Sequence, residues 1–174
     1  ILACEYAVAK TIAEHQGGDG PDVQETLAAI LAEYQEEQCE TLLSIEKEAK
    51  AHEVPFLWDD DFVSVGYGKK SISWPGRDLP SPKDIPWDSL SSIPIVLITG
   101  TNGKTTTSRL LARMVKCAGF SPGNSSTDGV FINEQLVEEG DWTGPGAARA
   151  ILRRQDVEVA VLEAARGGIL RRGL

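Results

Sequence analysis

The segment from Ile93 to Ala118 most constrains what this 174-residue chain can fold into. An apolar run ends at Thr99 and is followed by Gly100-Thr101-Asn102-Gly103-Lys104-Thr105-Thr106, where a helical pattern begins. Glycines let backbone N–H groups approach phosphate oxygens, and the start of a helix favours an anion. A strand, a glycine loop and a helix in this order are therefore typical of a phosphate-binding loop.

Lys104 and Thr105 carry the chemistry that such a loop needs. A lysine here neutralises the β- and γ-phosphates, and the threonine hydroxyl is a ligand for Mg²⁺. The general motif also has a glycine five residues before the Gly-Lys pair, where this chain has Ile98. The residues alone therefore leave two interpretations, a nucleotide site and a glycine turn with an exposed lysine.

The chain beyond this loop alternates apolar runs with helical patterns. The spacing predicts a turn near residues 119–123, a hairpin over 130–137, a helix over 146–154 and a buried strand over 157–163. Strands separated by helices indicate an α/β fold with a parallel sheet and flanking helices. Ligands of such sheets bind at the carboxyl ends of the strands, where the phosphate loop and Glu163 both fall.

Two further segments offer groups for such a site. Glu163 ends a strand that otherwise reads as buried, so it is either a Mg²⁺ ligand or a partner of Arg166 or of a helix end. Ser126-Thr127-Asp128-Gly129 is either a plain turn or a source of oxygen atoms beside a triphosphate. Thr143 reads as a helix N-cap, with a substrate-loop hydroxyl as the alternative.

Arg166, Arg171 and Arg172 follow in a glycine-containing segment at the end of the chain. Arginine suits carboxylate and phosphate partners through its planar fork. From the residues alone, an anion-binding segment and an ordinary basic helix start are equally consistent with this pattern.

The N-terminal part of the chain has a different sequence pattern. Residues 1–16 and 22–53 show helical spacing, and short apolar pieces follow between residues 54 and 87. A proline-rich stretch then reads as a linker. We therefore expect a helical region with short strands over 1–92 and a nucleotide-binding domain over 93–174.

Charge and cysteine content narrow the function classes. A net charge of -9 argues against nucleic-acid binding, because phosphate backbones are bound by excess lysine and arginine. The three cysteines lack metal-ligand spacing and read as reduced, buried side chains of a cytoplasmic protein. No apolar run is long enough to cross a bilayer, and nothing in the sequence indicates an oligomeric state.

The loop TGTNGKTTT and the phrases STDGVFINEQLVEEGDWTGPGAARAIL and VAVLEAARGGILRRGL resemble the Mur ligase family, on its cyanophycin-synthetase-like branch. The resemblance covers residues 55–174. The stretch before the phosphate loop is similar to stand-alone relatives of this branch that lack an ATP-grasp module. The resemblance implies an ATP-dependent ligase that joins a carboxylate to an amine through an acyl phosphate. An aspartate-like or peptide carboxylate and an amino acid such as arginine are the substrates that it suggests.

Roles carried over from the family fall on matching residues. Lys104 contacts the phosphates within the loop Gly100 to Thr106, Thr105 and Glu163 are Mg²⁺ ligands, and Arg166 lies on the acceptor side. Thr127 and Asp128 lie near the γ-phosphate. The branch usually reads Glu-Thr-Ala-Arg where this chain has Glu-Ala-Ala-Arg, so the hydroxyl after the metal glutamate is absent.

The missing later regions of the family and two alternative functions must be weighed against this assignment. The later regions of the family's central domain and its C-terminal domain lie beyond Leu174, so we expect a piece of a longer protein that is inactive alone. A nucleotide-dependent switch or phosphotransferase would use the same loop without an amine. A non-catalytic interaction protein would use the acidic helices of residues 1–53 as a docking surface.

Overall fold

The chain forms two compact units, Ile1–Leu43 and Ser44–Leu174. A computed structural model describes residues 2–18, 20–37 and 39–165. Arg166 and the two following arginines lie outside the described residues. The domain boundary predicted near residue 92 falls within the second unit and stays a prediction.

The described residues of the first unit contain two complete helices, α1 (Leu2–His15) and α2 (Val23–Glu37). Asp22 begins α2, because its carboxylate accepts a hydrogen bond of 2.9 Å from the backbone N–H of Glu25. Together with α3 (Glu40–Ala51), these helices confirm the helical spacing of residues 1–16 and 22–53.

A small antiparallel sheet follows α3. Its strands are β1 (Phe56–Trp58), β2 (Phe62–Val65) and β3 (Ile72–Pro75), paired in chain order as a meander. They correspond to the short apolar pieces of the sequence. A meander brings the apolar side chains of neighbouring strands onto one face, which then packs against α3.

The core of this region combines α3, the small sheet and the proline-rich stretch. Its buried side chains are Ile45, Ala49, Val54, Val65, Ile85 and Leu90. Within the stretch predicted to be a linker, Trp87 donates a hydrogen bond of 2.9 Å from its indole N–H to the carbonyl of Pro82. The proline-rich stretch therefore packs against the small sheet and covers part of its core.

The second sheet has five strands in the order β4-β8-β5-β6-β7. They are β4 (Ile95–Ile98), β5 (Pro122–Ser126), β6 (Gly129–Ile132), β7 (Gln135–Glu139) and β8 (Val159–Glu163), with helices α4 (Lys104–Cys117) and α5 (Pro145–Leu152) in the connections. Strands β4, β8 and β5 are parallel, and β6 and β7 add an antiparallel hairpin. The predicted α/β fold is confirmed, with a mixed rather than wholly parallel sheet.

Strand β5 lies at the centre of this sheet, where the sequence predicted turns. All five of its residues are buried although most are small or polar. A Cβ atom on Gly123 would lie 2.7 Å from the Ile151 Cγ2 and 2.9 Å from the Val157 Cγ2. The glycine is therefore needed because α5 and the residues after it pack directly on the strand.

Arg153, at the end of α5, connects the two sheets. Its guanidinium donates hydrogen bonds to the Ser64 hydroxyl at 2.8 Å, to the Asp59 carboxylate at 2.5 Å and to the Phe62 carbonyl at 3.1 Å. Lys69 pairs with Glu158 in the same region. One arginine with three partners holds a fixed orientation between the sheets.

The prediction about the cysteines can be compared with their exposure in the structure. Cys4, Cys39 and Cys117 are free and exposed, so the prediction that they are buried is wrong. Within the described residues, no helix is both long and apolar enough to span a bilayer.

Candidate nucleotide site

The carboxyl ends of three parallel strands meet at one edge of the five-stranded sheet. Ile98 of β4 lies opposite Glu163 of β8, and Ser125 of β5 lies opposite Leu162 of β8. The phosphate loop therefore begins beside Glu163, and the turn after β5 begins on its other side. This is the edge at which ligands of parallel sheets bind.

The loop between β4 and α4 depends on its two glycines. Gly100 has a φ of +146° and Gly103 a φ of +77°, both in the region that side chains rarely adopt. Nothing lies within 4 Å of a Cβ built on Gly103, so backbone conformation rather than space requires this glycine. Helix α4 begins at Lys104 directly after it, which leaves the first N–H groups of the helix facing the loop.

Lys104, Thr105 and Glu163 converge at the start of α4. The Thr105 hydroxyl donates a hydrogen bond of 3.0 Å to the Glu163 Oε2 atom. The Lys104 Nζ atom lies 3.9 Å from the Glu163 Oε1 atom, too far for a hydrogen bond. The structure thus brings the Thr105 hydroxyl and the Lys104 ammonium beside the carboxylate of Glu163, which lies 58 positions after Thr105 in sequence.

These contacts give a hydrogen-bond partner to only one of the two carboxylate oxygens of Glu163 among the described residues. Its side chain is 1% exposed, and its Oε1 atom is buried without a hydrogen-bond partner among the described residues. A buried carboxylate oxygen without a partner costs free energy unless a cation or donor reaches it. Hard oxygen donors of this kind suit Mg²⁺, so the chemistry of Thr105 and Glu163 fits that ion.

The turn between β5 and β6 brings Thr127 and Asp128 beside the loop. The Thr127 hydroxyl lies 3.2 Å from the Thr105 hydroxyl. Asp128 forms an ion pair of 2.7 Å with Arg109, one helical turn beyond Thr105 on α4. Ser126 to Gly129 is thus a hairpin turn, and its side chains also lie at the candidate site.

The remaining predicted loop residues, Thr101, Asn102 and Thr106, are exposed at this edge. Thr143 is not the N-cap of α5, which is Gly144, so that interpretation is wrong. The Thr143 hydroxyl instead donates a hydrogen bond of 2.8 Å to the Asp141 carboxylate. Thr143 lies close to the sheet edge, because its carbonyl accepts a hydrogen bond of 3.4 Å from the N–H of Ala165.

Sequence reasoning missed Arg109 and the buried polar groups beneath the loop. Ser108 on α4 and Asn124 on β5 each bury a polar atom without a hydrogen-bond partner among the described residues. Helical spacing could have identified Arg109, because it lies four residues after Thr105 and hence on the same face of the helix. No pattern in the sequence pointed to Asn124, because the strand that carries it was not predicted.

The protein alone supplies few ligands for a metal ion. The described residues contain no group of three or more His, Cys, Asp or Glu side chains arranged to hold one. A site of one hydroxyl and one carboxylate is therefore of the kind that phosphate oxygens and water complete.

The part of the chain that contains the phosphate loop and Glu163 is similar to known proteins. Residues 98–173 match the family model described as the Mur ligase middle domain. The chain is similar to cyanophycin synthetase of Synechocystis sp., with 53% identity over 105 residues, which is 60% of this chain. It is also 57% identical to cyanophycin synthetase of Trichormus variabilis over 89 residues, 51% of this chain.

A third relative belongs to another branch. UDP-N-acetylmuramoylalanine–D-glutamate ligase of Synechococcus sp. is 36% identical, and the alignment covers 75% of this chain and 30% of that protein. The alignments with the two cyanophycin synthetases cover 12% and 10% of those proteins' lengths. The resemblance stated from the motifs is confirmed for the matched segment, while the activity of a longer protein is a matter for proposal.

Proposed function

We propose, because residues 98–173 match the Mur ligase middle domain, that this chain provides the nucleotide-binding part of an ATP-dependent carboxylate–amine ligase. The contact that carries the proposal joins the Thr105 hydroxyl to the buried Glu163 carboxylate, at 3.0 Å, directly beside the phosphate loop. The relatives' names, cyanophycin synthetase and a D-glutamate ligase, support amide formation as the reaction class.

The residues of the candidate site, and Arg166 beyond the described part of the chain, each have a role in this proposal. The loop N–H groups and the Lys104 ammonium bind phosphate oxygens of ATP. Thr105 and Glu163 would hold Mg²⁺, which offsets the charge of the triphosphate when it is bound. Thr127 and Asp128 lie beside the γ-phosphate, and Arg166 binds on the acceptor side.

The reaction transfers a phosphoryl group and then an acyl group. A carboxylate oxygen of the substrate attacks the γ-phosphorus, the bond to the β-phosphate oxygen breaks, and ADP leaves. An amine nitrogen then attacks the acyl carbon, phosphate leaves, and the nitrogen loses a proton. The protein's part in both steps is to position the reactants and stabilise developing negative charge.

The family resemblance suggests the class of each substrate. We propose an aspartate-like or peptide carboxylate and an amino acid such as arginine as the amine. A switch or phosphotransferase built on the same loop would need no amine. The names of relatives from two branches, a synthetase and a ligase, favour the ligase over the switch or phosphotransferase.

Titration of ATP into the chain, with and without Mg²⁺, tests the proposal. Mg²⁺ should strengthen ATP binding by the wild type, and Glu163→Gln should reduce that gain by about tenfold or more because it removes a charged ligand. Glu138→Gln, an exposed substitution on β7, is the matched control and should bind as the wild type does. An unchanged Mg²⁺ dependence in Glu163→Gln would contradict the proposed metal site.

A further inference from the structure

A cavity lies beside α5, and none of the candidate nucleotide-site residues lines it. Its volume is about 440 Å³, which is within the range of small-molecule sites. Leu57, Ala148 and Leu152 contribute apolar walls, and Arg149 and Tyr67 contribute polar groups. The cavity therefore combines a mostly apolar lining with one positive charge.

Arg149 is half-buried and forms no ion pair with any described residue. Within the described residues, Arg109, Arg113, Arg153 and Arg154 each form an ion pair with a carboxylate, whereas Arg149 forms none. A partly buried guanidinium without an anion loses hydration and gains little in exchange. An anionic ligand in the cavity would offset that cost.

Tyr67 is the second polar group of the lining and is also half-buried. Burial raises the pKa of Tyr67, so its hydroxyl stays protonated at neutral pH. A protonated phenol can donate one hydrogen bond to an anion beside the guanidinium.

These groups favour one carboxylate over a phosphate chain. A single guanidinium matches the planar fork of a carboxylate, while a triphosphate needs more positive charge. The apolar walls suit the carbon skeleton of a small organic acid. We propose that the cavity binds a carboxylate group of a small amino-acid-like substrate through Arg149, with Tyr67 as the second donor.

The position of the cavity connects it to the proposed reaction. Pro145 and Gly146 line the cavity where α5 begins, and Thr143 just before them accepts the hydrogen bond from Ala165, two residues beyond Glu163. The cavity thus extends along α5 from the edge that holds the nucleotide site. The inference rests on the proposed ligase function and assigns a substrate subsite to it.

Titration with succinate and L-aspartate, followed by backbone amide NMR shifts of Ala148 and Leu152, tests this subsite. The wild type should bind both acids, and Arg149→Met should weaken binding by about tenfold or more because it removes the charge-assisted hydrogen bonds. Arg149→Lys keeps the charge without the planar fork, so its affinity for the acids should lie between those of the wild type and Arg149→Met. Succinamide, the neutral analogue, should bind the wild type more weakly than succinate.

Arg77→Met is the matched control, because Arg77 is exposed and lies outside the cavity lining. It should bind succinate as the wild type does. Equal succinate binding by Arg149→Met, equal binding of succinamide, or no binding of either acid by the wild type would overturn the proposal.

Mg-ATP binding by the same samples separates this inference from the proposed function. Arg149→Met should bind Mg-ATP as the wild type does. Loss of acid binding with intact Mg-ATP binding would support the subsite. Wild-type protein that binds Mg-ATP but no acid would overturn the subsite alone, and protein that binds neither would overturn both.

Discussion

At the scale of single residues, the surroundings of Glu163 suit the binding of a ligand and lower the stability of the ligand-free fold. Its side chain is 1% exposed, it accepts one hydrogen bond from Thr105, and its other oxygen has no hydrogen-bond partner in the described part of the chain. The Lys104 ammonium at 3.9 Å compensates this charge only in part. Groups that lower stability in this way are expected where a protein binds a ligand.

We therefore expect Glu163→Gln to stabilise the ligand-free chain. The substitution removes a buried charge, keeps an acceptor for the Thr105 hydroxyl, and leaves Lys104 with access to water. The free energy of unfolding should rise by about 1 kcal/mol. Urea denaturation in the absence of nucleotide and Mg²⁺ measures it.

Thr105→Val provides the matched comparison for this measurement. It removes the only described hydrogen bond to the Glu163 carboxylate and should lower the free energy of unfolding by about 1 kcal/mol. A loss of stability in Glu163→Gln as large as that in Thr105→Val would show that the carboxylate serves the fold.

Among the elements, those with strong apolar patterns could be predicted from sequence. β4, α4 and β8 fall within the predicted ranges or one residue from them. Their apolar runs and the glycine loop are local signals. Such signals were sufficient to find Lys104, Thr105 and Glu163.

β5 could not be predicted because its signal is not local. Its residues Pro-Gly-Asn-Ser-Ser have low strand propensity, and its buried position follows from its pairing with β8 and β6. The space at Gly123 is set by Ile151 and Val157, which are distant in sequence. The positions of Asn124 and of the Thr127 turn depend on that strand and were therefore uncertain.

The contact between the small sheet and α5 should depend on pH. Burial tends to raise the pKa of Asp59, but hydrogen bonds from Arg153, Phe62 and Asp61 and the charge of Arg153 outweigh it and lower the pKa. The folded-state pKa is then below the unfolded value of about 3.9. The stabilisation is present above that value and is lost as the pH falls through the folded-state pKa.

Asp59→Asn should remove this dependence. The difference in unfolding free energy between wild type and Asp59→Asn should be greatest at neutral pH and shrink below about pH 4. Urea denaturation at a series of pH values measures it. Asp60→Asn, an exposed neighbour, is the control, and a constant difference across pH would contradict the role of the Asp59–Arg153 pair.

At the scale of the whole molecule, the two compact units suggest that the site does not need residues 1–38. Each unit has its own internal packing, and all described groups of the candidate site lie in the second unit. A chain that begins at Cys39 keeps α3 whole and should retain its unfolding transition and Mg-ATP affinity within about threefold. Circular dichroism and calorimetry check both, and loss of the transition would show that the first unit is required.

We propose above all that the sheet edge around Lys104 binds Mg-ATP. Calorimetric titration of Mg-ATP into the wild type, Lys104→Ala and Lys116→Ala tests it most directly, because Lys116 lies on the same helix away from the loop and pairs with Glu134. We expect the wild type and Lys116→Ala to bind Mg-ATP, and Lys104→Ala to bind it with an affinity lower by about a hundredfold or more. Equal affinities in all three proteins, or a folded wild type that binds no Mg-ATP, would contradict it.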